Sequence, residues 1–311
     1  MKNINVIFMG TPDFAVPVLE ALIEKTNVIM VVTQPDKEVG RHHELSYSPI
    51  KKVALEHNIE VYQPVKIRKE FEPVVNKKAD IIITCAYGQI IPEVILDSPR
   101  LGCINVHASL LPRLRGGAPL HHALIDGEEK TGITVMYMDK GMDTGDIIST
   151  KEYVIKDTDT VGDLHDTLSL MGRDLLMETL PSIIDGTNKR IPQNNDEATY
   201  AYNITREEEH VDFNRPAQEV YNQIRGLNPW PLAYALINGV EVKLIDCYID
   251  EEESNLSAST ICDMSNKGLG ISTKDKTIYI TKLKPFGKKE MNAIDYINGL
   301  QKEKVLHSIV E

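Results

Sequence analysis

Over its first half the chain alternates short, continuously apolar runs with amphipathic stretches. "INVIFMG" is followed by "DFAVPVLEALIEK", then by "VIMVVTQ", "SPIKKVALEHN", "IEVYQP", "ADIIITCAYG", "GCINVHAS" and "TGITVMYMD". A strand that is apolar on both faces has to be covered on both, and helices between successive strands supply that cover. The pattern therefore predicts an α/β domain with a doubly wound, Rossmann-like parallel sheet. Ligands of such sheets bind beyond the carboxyl ends of the strands. That directs attention to the residues after each apolar run: "GTPD", "TQPDKEVGR", "AYGQIIP", "NVHASLLP" and "MDKGMDTGD".

A long helical pattern, "TVGDLHDTLSLMGRDLLMETLPSIIDG", closes this domain, which is placed at residues 1–189. Residues 190–206 have no sustained apolar periodicity and read as a linker. Within 207–311 one helix, "RPAQEVYNQIRGL", precedes short β-rich runs, and Asn238-Gly239 marks a hairpin turn. A small C-terminal β-barrel of the OB-like type is expected there. Two domains also suit a chain of 311 residues, because single cores tend to split beyond about 250 residues. No run approaches the roughly 18 apolar residues of a membrane span, and the start lacks a signal-peptide core, so no membrane association and a cytoplasmic protein are expected.

The chain lacks most catalytic signatures. The first strand is not followed by G-x-G-x-x-G, which disfavours hydride transfer, and G-x-x-x-x-G-K-[ST], G-x-S-x-G and H-E-x-x-H are also missing. Cys85, Cys103, Cys247 and Cys262 are widely separated, with neither a CxxC pair nor a histidine at ligand spacing, and read as buried or incidental thiols. The adjacent pairs His42-His43 and His121-His122 point in different directions, so no metal is expected. What remains is Asn105 and His107, which alternate along a strand and project to one side, with Asp143 in the loop after "TGITVMYMD". An amide and a protonated imidazole can both donate to an oxyanion, and a neighbouring carboxylate favours the charged imidazole. Such a group suits acyl transfer through a tetrahedral intermediate without a protein nucleophile. By itself Asn-x-His is common by chance, and a lone Asp in "GMDTGD" is ordinary turn chemistry.

The formal net charge of −12 argues against nucleic acid. Residues 274–289, "KDKTIYITKLKPFGKK", nevertheless set six lysines against one aspartate. If this run is a strand, Lys282 and Lys284 share a face. A solvated strand face explains the run as well as a phosphate-binding stripe does.

Taken together, "NVHASLLPRLRGGAP" and the later "MDKGMDTGDII" closely resemble the folate-dependent formyltransferases. The resemblance implies that Asn105, His107 and Asp143 form a catalytic trio. It also implies that Ser109, Leu110, Leu111 and Pro112 border 10-formyltetrahydrofolate, and that Tyr87, Gly88, Gln89, Ile90 and Ile91 pack around its pterin. "FMGTPDFAVPVLEAL", "VVTQPDKEVGR", "RGLNPWP" and "KPFGKK" extend the resemblance nearly end to end, towards the members that act on tRNA. The implied acceptor is the α-amine of methionyl initiator tRNA, with a sugar nucleotide or another small amine as the alternative. On the same basis Arg41 would reach the acceptor stem, and Lys282, Lys284, Lys288 and Lys289 would meet phosphates. The loop departs from the family's pattern at His42, His43 and Glu44, where Gly and Lys are usual. "NPWP" reads as a rigid packing corner. A monomer is expected because no exposed apolar seam is evident.

Overall fold

The computed structural model describes residues 1–39, 44–254 and 256–311. Two compact units emerge. The first comprises Met1–Pro119, Lys130–Val154 and His165–Tyr202, and the second Leu120–Glu129, Ile155–Leu164 and Asn203–Glu311. Of the stretch 190–206, residues up to Tyr202 therefore belong with the first unit and the rest with the second.

The first unit is built on strands β1 (Asn5–Gly10), β2 (Asn27–Val32), β3 (Lys37–Val39), β4 (Glu44–Ser46), β5 (Val61–Tyr62), β6 (Ile81–Cys85), β7 (Cys103–His107), β8 (Lys130–Tyr137) and β9 (Ile147–Val154). Seven of them form one sheet in the order β5-β2-β1-β6-β7-β8-β9, while β3 and β4 pair only with each other. Helices Val16–Lys25 and Pro49–Glu56 show how the cover is specified. Each has proline in its first turn, where no backbone donor is lost, and Ser48 caps the second by accepting from the Lys51 amide at 3.0 Å. The central strands β1, β6 and β7 are buried on both faces, as their apolar composition requires, whereas the edge strand β9 is largely exposed. Ile7, Met9, Met30, Val32 and Ile82 belong to one core cluster, and Val6, Phe8, Val31, Ile81 and Ile83, of opposite alternation, are equally buried.

The parallel sheet expected from the sequence is only partly what forms. Strands β5, β2, β1, β6 and β7 run parallel, whereas β8 is antiparallel to both β7 and β9. Residues 138–146 between β8 and β9 are too few for a crossover helix, so only a hairpin return is open to them. Continuous apolar character specifies that a strand is buried and carries no information about its direction.

In the second unit β10 (Ala233–Ile237), β11 (Val240–Glu253), β12 (Ile261–Ser265), β13 (Gly268–Ser272), β14 (Lys276–Pro285) and β15 (Met291–Asn292) form an entirely antiparallel sheet. The Asn-Gly turn behaves as expected: Asn238 and Gly239 have φ of 51° and 72°, and Ile237 pairs with Val240 across them. Phe213, Val220, Ile224, Leu244, Ile278 and Ile280 share its core. Arg225, 9% exposed, fastens the 155–164 segment to this unit by donating to the carbonyls of Lys156 (2.9 Å) and Asp159 (3.2 Å). Burial lowers the pKa of this guanidinium. "NPWP" contains cis peptide bonds before both prolines, and the Asn228 carbonyl accepts from Gly162 at 3.2 Å.

All four cysteines are free, and three are buried. Burial pushes the Cys85 and Cys103 thiols up to about 12. Among the described residues no helix is long and apolar enough to cross a membrane, and no group of three or more His, Cys, Asp and Glu is placed to hold a metal ion.

Candidate active site

Alternation along β7 puts Asn105 and His107 on one side of the sheet, opposite Met136 and Thr134 of β8. Because β8 is antiparallel, its carboxyl end lies beside the start of β7. The 138–146 loop must therefore return along the sheet, and in doing so it carries Asp143 to the two β7 side chains. Asp143 Oδ2 stands 3.7 Å from His107 Nδ1, an ion-pair separation longer than a hydrogen bond. Asp143 Oδ1 is 3.5 Å from Asn105 Nδ2. The Asn105 amide and the His107 ring both face the carboxylate loosely enough to turn towards another oxygen.

The surrounding contacts fix how each group is presented. Thr84 Oγ1, at the end of β6, donates to Asn105 Oδ1 at 2.8 Å, which turns the Asn105 amide nitrogen towards Asp143. His107 Nε2 lies 3.0 Å from the Leu114 carbonyl. A carbonyl only accepts, so Nε2 carries the proton and Nδ1 is the nitrogen left facing Asp143. His107 is 6% exposed, so this tautomer is set inside the protein rather than by solvent. Asp143 itself adopts φ 54°, and Oδ2 accepts from the Gly116 amide at 2.8 Å.

Beside the trio is a cavity of about 190 Å³ lined by Gln89, Ile90, Ile91, Met136, Met138 and residues 139–143. Its lining, apolar at Ile90, Ile91, Met136 and Met138 and polar at Gln89, Asp139 and Asp143, suits a flat heteroaromatic ring. Of the residues expected at the folate, Gln89, Ile90 and Ile91 line this cavity. Tyr87 is packed in the core below β6, and its carbonyl accepts from Thr11 and Gln34. Gly88 follows it at φ 87°. Ser109, Leu110, Leu111 and Pro112 form the turn after β7 and do not line the cavity. Ser109 Oγ donates to the Arg113 carbonyl, Thr134 binds both Ser109 O and Leu111 N, and the Leu111–Pro112 bond is cis.

Two polar residues at this site were not read from the sequence. Arg115 is almost fully buried, and Gln193, from the non-periodic stretch, donates to the main chain around Asp143. The Arg-Gly-Gly loop was a visible irregularity, but nothing near Gln193 marks it out.

In the second unit β14 carries the lysine run. Lys282 is ion-paired with Glu290 at 2.8 Å and Lys276 with Glu251 at 3.3 Å. Lys284, Lys288 and Lys289 are exposed and make no ion pair among the described residues. Arg41, with His42 and His43, lies outside the described residues.

The model of the formyl transferase domain matches residues 2–180, and that of the formyl transferase C-terminal domain matches residues 203–301. The chain belongs to the formyl transferase family. Among curated formyl transferases, the methionyl-tRNA formyltransferase of Staphylococcus epidermidis is 50% identical over 304 residues, covering 97% of this chain and 98% of that protein. The methionyl-tRNA formyltransferase of Staphylococcus aureus is 48% identical over 300 residues, 96% of each. Among solved structures the sugar 3N-formyl transferase WlaRD superposes with a TM-score of 0.69 at 23% identity, covering 92% of this chain and 99% of that one. That likeness speaks for the formyl transferase fold alone.

Proposed function

We propose that this chain transfers the formyl group of 10-formyltetrahydrofolate to the α-amine of methionine esterified to initiator tRNA. The observation that carries this reading is the 50% identity to a curated methionyl-tRNA formyltransferase along nearly the whole of both chains. A free α-amine titrates near about 8, so part of it is neutral and nucleophilic at cellular pH. As it adds to the formyl carbon, the carbonyl oxygen becomes negative. Asn105 Nδ2 and Nδ1 of His107, when it carries a proton, donate to that oxygen, and Asp143 takes the amine proton, directly or through a water. The intermediate then collapses with cleavage of the bond between the formyl carbon and N10, and N10 leaves as an amine that picks up the proton the attacking amine gave up. Gln89, Ile90 and Ile91 flank the pterin, with Tyr87 and Gly88 shaping the loop and Ser109, Leu110, Leu111 and Pro112 bordering the donor.

In this reading the first unit, with the stretch up to Tyr202 packed into it, carries the chemistry, 203–206 connect, and 207–311 form an OB-like barrel that holds the tRNA. Lys284, Lys288 and Lys289 meet phosphates, joined by Lys282, which Glu290 shares. Arg41 reaches the acceptor stem. The protein acts as a cytoplasmic monomer.

The test is formyl transfer to methionyl initiator tRNA beside elongator methionyl-tRNA, free methionine and an amino-sugar nucleotide. Transfer to the initiator alone is expected, with kcat about 100 to 1000-fold lower in His107→Ala. Transfer to the sugar nucleotide and to no tRNA refutes the assignment of substrate.

A further inference from the structure

A second polar system stands behind the turn that carries Asp143. Arg115, 2% exposed, donates from Nε (3.1 Å) and Nη2 (2.8 Å) to Gln193 Oε1, and from Nη2 to Asn195 Oδ1 at 2.9 Å. A guanidinium has donors only, so the oxygen of the Gln193 amide must face it and the nitrogen must face away. On that far side Gln193 Nε2 donates to the carbonyls of Asp143 and Gly145, each at 2.8 Å. Both protons of the amide are then used, and both fall on the turn that aims Asp143.

That turn needs holding. Asp143 has φ 54°, a region that non-glycine residues enter at a cost. Its carboxylate is gripped by the Gly116 amide, the residue next to Arg115, while its own main chain is gripped by Gln193. The extended stretch 199–201 locks the other side of the 115–118 loop, through Arg115 N to Thr199 O (2.9 Å), Ala201 N to Arg115 O (2.7 Å) and Ala118 N to Ala201 O (3.0 Å). The buried cation thus makes no direct contact with the trio, and its orientation reaches Asp143 through a single amide.

We propose that Gln193 is a positioning residue for formyl transfer: held by Arg115, it clamps the 143–145 turn so that the Asp143 carboxylate is presented to His107 and Asn105. This rests on the reading of those three as the reacting groups. Gln193 is not among the residues that line the cavity. Its removal leaves binding intact and lets the carboxylate drift, and misplacement by about 1 Å costs on the order of 100-fold in rate.

Two variants separate a clamp from a mere buttress. Gln193→Met keeps length and packing without the hydrogen bonds. Gln193→Glu keeps an acceptor for Arg115, and so the fold, but sets a carboxylate oxygen against the two carbonyls. In both, kcat is expected to fall at least about tenfold, with KM for either substrate within about twofold of the parent. In an Asp143→Asn background, where the side chain tolerates the same φ, Gln193→Met is expected to cost less than about twofold more, because the two substitutions act through one group. The same factor in both backgrounds, or full kcat in Gln193→Glu, overturns the proposal. Hydrogen exchange of the Gly116 amide reports on the clamp without any activity: it is expected to quicken at least about tenfold in both variants, and unchanged exchange also overturns the proposal. A parent protein that transfers no formyl group refutes the reading of the site, and leaves the exchange experiment to decide the clamp.

Discussion

At Gly116 the backbone takes φ 119°, and a Cβ there would lie 2.6 Å from the Ala201 carbonyl oxygen. The same residue offers its amide to Asp143. An alanine at 116 has to push away either the 199–201 stretch or its own amide, so two constraints meet at one atom. Gly116→Ala is expected to lower stability by about 1–3 kcal/mol in urea unfolding. Its formyl transfer is expected to fall further than the loss of folded protein explains. Full activity per folded molecule would separate the Gly116 amide from catalysis. The residues of the site differ in how far the sequence discloses them. Asn105 and His107 are legible because a strand's period of two settles which side they share. Asp143 is legible as a turn residue, but its approach depends on a hairpin return. Gln193 is not legible, because its partner Arg115 lies 78 positions away and an exposed-looking Gln in a polar stretch has no local pattern.

Among the elements, β1 and β6 are tied at their starts by Asp80. Its carboxylate accepts from the Asn5 amide (2.8 Å) and from Arg100 Nε (2.7 Å), and its own amide donates to the Asn5 carbonyl at 2.9 Å. The Asn5 N–H, with Arg100 beside it, holds this carboxyl below the usual aspartate range. A folded-state pKa below the unfolded one gives stability that is present above the unfolded value, about 4, and is lost as pH falls through the folded value. Thermal midpoints of the parent and Asp80→Asn are thus expected to differ most near neutrality and to converge on acidification. A constant difference from pH 7 to pH 3 would remove Asp80 from the acid response. At this scale the sequence specifies burial well and direction poorly. The apolar runs marked β1, β2, β5, β6, β7 and β8 but not β9, and "TGITVMYMD" reads alike in a parallel or an antiparallel strand; the short 138–146 connection requires only that β9 run antiparallel to β8. The Asn-Gly turn after Ile237 was legible because its positive φ values demand those residues.

For the molecule as a whole the formal charge is −12, yet Lys284, Lys288 and Lys289, exposed and without an ion pair among the described residues, lie close together at the end of β14 and the turn after it. Each lysine that neutralises a phosphate releases counterions, which lowers log K by about 0.7–0.9 per unit of log salt. Replacing Lys284, Lys288 and Lys289 together by alanine is expected to reduce that slope by roughly 2 to 3 and leave folate binding unaltered. Filter binding of methionyl-tRNA across a KCl series measures it, and an unchanged slope would make these lysines solvated surface. Gln193 lies downstream of every strand of the first sheet, the last of which ends at Val154. A ribosome therefore releases the platform, with Asn105, His107 and Asp143 already on it, before it releases the amide that braces the turn. Synthesis passes through a stage in which the chemistry is present and the aim is slack, and the strap written last into the first unit brings that stage to an end.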